Sequence, residues 1–66
     1  MDKFDALKES AKPIFRAVVM ALPRNHSRSD ARSVIRSKID GHELPPDDAR
    51  FIADYIMSSL GYGGGF

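Results

Sequence analysis

Cysteine is absent from this 66-residue chain, and histidine occurs only twice, at His26 and His42. Without cysteine the chain can form neither a disulfide nor a thiolate zinc site, and the absence fits a reducing compartment. The two histidines lack the spacing of a zinc site. A nucleophile motif and a glycine-rich phosphate loop are also missing. We therefore expect no metal, no cofactor and no catalytic residues, and we predict that the chain is not an enzyme.

Long apolar runs are absent as well. The longest, at residues 17–22, contains six residues, whereas about 20 are needed to cross a bilayer. Acids stand at Asp2 and Asp5, where a signal or transit peptide carries bases. We expect a cytoplasmic protein that has no membrane partner.

The length of the chain is enough for one domain, near the lower limit for folding without disulfides or metals. Strand-like alternation is absent, and apolar residues recur at helical spacing. The sequence therefore predicts an all-α fold, a small three-helix domain with helices at about residues 3–22, 28–40 and 46–60. Residues 1–61 form this single domain, and the Gly-rich residues 62–66 form a flexible C-terminal tail.

The first predicted helix has one clear apolar stripe and one interruption. Pro13 lacks an amide donor and crowds the preceding turn, which predicts a kink or a break at residues 10–12. Pro23 then ends the helix. The stripe comprises Phe4, Leu7, Ala11, Ile14, Phe15, Val18 and Leu22.

The second and third helices have recognisable ends. Ser27 and Asp30 have the spacing of a capping box at the start of the second helix. Gly41 occupies the position of a left-handed cap at its end. Pro46 is followed by two acids at the start of the third helix, where they favour the positive end of the helix dipole. Gly61 is expected to terminate that helix.

Charge is distributed unevenly along the chain, although the formal net charge is only +1. Residues 24–39 carry five bases against one acid, which gives +4, and residues 40–66 carry five acids against one base, which gives −4. Two alternatives follow. The acids Asp47, Asp48 and Asp54 pair with the basic segment internally, or each segment faces a different partner.

The most distinctive pattern is a repeat of Arg-Ser-x-apolar, present three times at residues 28–39. On a helix it stacks three arginines one turn apart, where like charges repel by roughly a few tenths of a kcal/mol per pair. Such a ridge is easiest to explain if it contacts an anion, because arginine forms bidentate contacts with phosphate or carboxylate. A solvated helix face is the simpler alternative. The predicted partner or phosphate contact comprises Arg24, Arg28, Arg32, Arg36 and Lys38.

The third helix is apolar on two faces, and a helix of this kind is normally buried on both. Phe51 and Tyr55 lie one turn apart on the side away from the main stripe, and Met57 lies beside that stripe. We predict a hydrophobic interface at Phe51, Tyr55 and Met57, in a homo-oligomer or against a larger protein. The alternatives are that this helix is central, or that Tyr62 and Phe66 fold back over Phe51 and Tyr55.

These patterns favour a small non-enzymatic interaction or regulatory protein. It would self-associate or dock on a larger protein partner through the third-helix aromatics and the arginine ridge. The alternative is a small dimeric DNA- or RNA-binding regulator that contacts phosphates through the second helix. The nearly neutral net charge and the lack of Asn and Gln in that helix count against the alternative. A structural subunit of a larger particle is a more distant reading.

Overall fold

The structure, a computed structural model, describes residues 2–63. These residues form three helices, α1 (Lys3–Ala21), α2 (Arg28–Asp40) and α3 (Pro46–Ser59), and they contain no strand. The all-α three-helix prediction is confirmed, with every helix boundary within one residue of its predicted position. The predicted flexible tail falls mainly on residues 64–66, which lie outside the described residues.

Helix α1 continues through Pro13, so of the kink or break predicted at residues 10–12 the break does not occur, and the kink stays a prediction. The Asp2 carboxylate caps its start by accepting the Phe4 amide at 3.4 Å. Ala11 and Ile14 flank the proline and are both buried in the core. Tertiary packing of this kind outweighs the loss of one backbone hydrogen bond, because most helix stability in proteins comes from the buried face.

The capping box of α2 is confirmed. The Asp30 amide donates to Ser27 Oγ at 3.2 Å, and the Ser27 amide donates back to the Asp30 carboxylate at 3.1 Å. The left-handed cap predicted at Gly41 is wrong, since Gly41 is right-handed with φ −67° and ψ −16°. The chain continues as a tight turn in which the His42 amide donates to Ile39 O at 2.9 Å. The positive φ, 51°, occurs later, at Glu43.

Helix α3 ends where predicted, at a left-handed glycine. Gly61 has φ 93°, its amide donates to Ser58 O at 3.0 Å, and the Tyr62 amide donates to Met57 O at 3.0 Å. This pair of bonds is a Schellman motif, which satisfies the last helical carbonyls and reverses the chain. Tyr62 is thereby directed back onto the domain.

The bundle has an up-down-up arrangement. Helices α1 and α3 begin at the same end, where Lys3 Nζ lies 3.7 Å from Asp48 Oδ1. The last turn of α2, at Ile39, lies beside the first residues of α3, so α2 runs in the opposite direction. Each helix packs against both of the others.

Within the described part of the chain, the buried core consists of eleven apolar residues from all three helices. One fully buried alanine comes from each helix, at Ala11, Ala31 and Ala53. Small side chains at these contacts allow the helix axes to approach closely. The largest fully buried side chains are Ile14, Val18, Ile35, Ile52, Ile56 and Met57.

Candidate interaction surfaces

One exposed face of α2 gathers arginine and serine side chains. Ser29, Arg32, Ser33 and Arg36, here called the arginine patch, line a shallow depression of about 250 Å³. The four-residue repeat produces this grouping, because each step of four residues advances only about 40° around a helix. All four side chains can donate hydrogen bonds, and guanidinium groups accept none. The arginine patch is therefore suited to bind an anion.

The other predicted basic residues do not line this patch. Arg24 is exposed in the connection before α2, and Arg28 is the first residue of the helix. Lys38 is half-buried, and it follows Arg36 by two residues, which places it about 200° away around the helix. Lys38 therefore does not belong to the arginine patch, and it lies on the opposite edge of the α2 core stripe.

The acidic residues of α3 line a different cavity. A groove of about 300 Å³ lies between the first turns of α1 and α3, and it is called the acidic groove below. Its apolar lining is Phe4, Leu7 and Phe51, and its charged lining is Asp47, Asp48, Asp54, Lys3 and Arg50. Three carboxylates thus face two bases, and the groove carries a small negative charge.

The ion pairs of α3 distinguish internal pairing of the acidic segment with the basic segment from exposure of the two segments to different partners. Asp48 pairs with Lys3 of α1, at 3.7 Å, rather than with a base of α2. Within residues 2–63 the Arg36 guanidinium forms no hydrogen bond or ion pair, and neither does the Asp47 carboxylate. The arginine patch and the acidic groove share no lining residue. Arg36 of the patch and Arg50 of the groove line a third depression together, so the two surfaces are distinct but adjoin along α2 and α3.

Two aromatic residues, Phe4 and Phe51, line the acidic groove. Phe51 is half-buried and its ring lies 5.1 Å from that of Phe4, at an angle of 38°. Phe4 is 52% exposed and Tyr55 is 36% exposed. The sequence placed Phe4 in the core stripe, but its position in the first turn of α1 puts it above the core, which begins at Leu7. The location of Phe4 in the first turn of the helix was the sequence signal that could have predicted its exposure.

Met57 requires a correction. Its side chain is fully buried in the core and cannot reach a partner in this structure. Helix α3 packs against two neighbours, so its buried arc is wider than the stripe of a helix with one neighbour, and Met57 fills the added width. Phe51 and Tyr55 remain at the surface. Val19 and Met20, near the end of α1, are also exposed.

A half-buried polar contact joins Tyr62, after α3, to His26, in the connection between α1 and α2. The Tyr62 hydroxyl lies 2.5 Å from His26 Nδ1 and donates to the His26 carbonyl oxygen at 3.1 Å. The two rings are 5.7 Å apart. This contact fastens the segment after α3 to the connection between α1 and α2.

Comparison of the chain with protein-family models, curated proteins and solved structures gives no match. Among residues 2–63, no group of three or more acidic or histidine side chains is placed to hold a metal ion. None of the three helices combines the length and the hydropathy needed to cross a membrane. The case for a function therefore depends on the surfaces described above.

Proposed function

We propose that this chain is a non-enzymatic interaction protein that docks on an acidic protein surface through the arginine patch. One observation supports this most directly: two guanidinium groups and two hydroxyl groups meet at one depression, and no carboxylate of residues 2–63 lines it. A pair of arginines presents planar sets of N–H donors that match carboxylate oxygens two at a time.

The small number of arginines favours a protein partner over a nucleic acid. Two phosphate contacts would give a logarithmic salt slope of about −1.8, and affinity would fall only about tenfold between roughly 50 and 200 mM salt. DNA-binding proteins that make 6–10 phosphate contacts lose far more over that range. DNA or RNA binding through the same patch is the alternative, and one experiment compares the two.

The experiment is fluorescence anisotropy with two labelled probes, an oligoglutamate peptide and a generic DNA duplex. We expect the peptide to bind at about 50 mM salt and to lose affinity by about tenfold or more in Arg36→Glu, because the variant places like charges together. Arg16→Glu is the matched control, since Arg16 is exposed on α1 and lines neither surface.

Three results would contradict the proposal. If neither probe binds at low salt, the arginine patch has no anionic partner of either kind. If the duplex binds more tightly than the peptide and Arg36→Glu flattens its salt slope, the nucleic-acid alternative is correct. If Arg16→Glu weakens peptide binding as much as Arg36→Glu does, the binding surface is not the arginine patch.

A further inference from the structure

We infer that the acidic groove of one copy of this chain receives the arginine patch of a second copy, so that the protein self-associates head to tail. The inference rests on the proposed function, since it names the acidic surface to which the arginine patch binds. It is argued from the chemistry of the groove, the placement of the two surfaces and the area available.

The acidic groove has the two features that an arginine side chain recognises. The adjacent rings of Phe4, which is exposed, and Phe51, which is half-buried, provide an aromatic floor, and a guanidinium group stacks favourably on an aromatic face. The Asp47 carboxylate lies at the same groove, where it can accept two parallel N–H donors from that guanidinium. Lysine would satisfy the charge but not the stacking or the paired hydrogen bonds.

The placement of the two surfaces limits how two copies of the chain can meet. The arginine patch lies entirely on α2, whereas the groove lies between α1 and α3. Two copies that met patch to patch would bring like charges together, which is unfavourable. A contact in which the patch of one copy meets the groove of the next is heterologous when it is made once per pair of copies, and its repetition produces a closed ring or an open filament; when it is made twice across a twofold axis, it closes a dimer.

The available area predicts weak association. The described molecule exposes 4560 Å², and a standard interface of about 800 Å² per partner would take roughly a sixth of that area. The patch and the groove are each smaller than this. We therefore expect a dissociation constant between about 10 µM and 1 mM, and a marked weakening at high salt.

The test is sedimentation of the pure chain over that concentration range, with two charge-reversal variants. Arg36→Glu damages only the patch and Asp47→Lys damages only the groove, so each is expected to raise the dissociation constant at least about tenfold. An equimolar mixture of the two variants should associate again, because one retains an intact groove and the other an intact patch. Far-UV circular dichroism verifies that both variants keep their helices.

Matched controls separate the surfaces from a general effect of charge. Arg16→Glu and Glu9→Lys make the same charge changes on exposed positions of α1 that line neither surface, and they should leave association unchanged. Phe4→Ala removes the aromatic floor without changing charge and should weaken association, which keeps the inference testable if Asp47→Lys disturbs the start of α3.

Several outcomes would overturn the inference. A chain that stays monomeric at about 1 mM and low salt does not self-associate; if it still binds oligoglutamate through Arg36, the proposed function survives. If both variants lose association but their mixture does not regain it, the patch of one copy does not bind the groove of another. If a labelled oligoarginine peptide occupies the groove while the pure chain is monomeric, the occupant is a basic segment of another protein.

Discussion

Replacing Tyr62 by phenylalanine removes one hydroxyl group and keeps the ring. In the structure that hydroxyl lies 2.5 Å from His26 Nδ1 and 3.1 Å from the His26 carbonyl oxygen. Both residues are half-buried, so water replaces the lost partner only in part. We expect Tyr62→Phe to destabilise the domain, because a lost hydrogen bond of this kind costs about 1 kcal/mol and the His26 groups left without this partner add to that cost.

The size of the effect should be easy to measure in so small a domain. A loss of about 1–2 kcal/mol is a large part of the roughly 3–10 kcal/mol expected for 66 residues. The unfolding entropy of a chain this long, about 0.14 kcal/mol per kelvin, converts each lost kcal/mol into a fall in Tm of about 7 °C. Tyr62→Phe should therefore lower the Tm by roughly 7–14 °C.

The assay is urea and thermal unfolding followed by circular dichroism, and Tyr55→Phe is the matched control. The Tyr55 hydroxyl forms no hydrogen bond within residues 2–63, so its removal should change stability by less than about 0.5 kcal/mol. A double-mutant cycle with His26→Ala should give a coupling near 1 kcal/mol. If Tyr62→Phe lowers the stability no more than Tyr55→Phe does, the contact between Tyr62 and His26 contributes nothing to stability.

Two other pairs of substitutions test corrected positions. Met57→Ala should lower the free energy of unfolding in urea by about 2–5 kcal/mol, because the side chain is fully buried. Met20→Ala, at an 81% exposed position, should be nearly neutral. Equal effects of the two substitutions would show that Met57 is not buried. Gly61→Ala should destabilise by about 1 kcal/mol or more, since its φ is 93°. Gly41→Ala should instead stabilise by about 0.4–1 kcal/mol, since its conformation is right-handed and a Cβ would meet only an ordinary 3.5 Å contact; a loss there would support a left-handed cap.

The helices were predictable because local signals and apolar spacing agree. The Ser27–Asp30 capping box, the acids after Pro46 and the glycine at 61 each satisfy or terminate a helix end by a short-range mechanism. Gly41 shows the limit of such signals. Either a left-handed cap or one more right-handed turn could follow Asp40, and the choice depends on how the connection reaches α3.

The candidate surfaces were predictable only in part, because exposure depends on neighbouring helices. The four-residue spacing of Arg32 and Arg36 places them on one face regardless of tertiary structure. Met57 was expected at the surface and is buried, whereas Phe4 was expected in the core and is exposed. Met57 is buried because a helix with two neighbours buries a wider arc, and Phe4 is exposed because the first turn of α1 extends beyond the core. Neither effect can be deduced from the periodicity of a single helix.

The asymmetry between the basic and acidic segments acquires a physical meaning from the fold. No carboxylate of residues 2–63 lines the depression that contains Arg32 and Arg36. Asp48 is paired within the α1–α3 groove, with Lys3. Within residues 2–63 neither Arg36 nor Asp47 forms an ion pair. Both side chains are exposed, so their charges can act on a neighbouring molecule, and this favours the intermolecular alternative for these two residues.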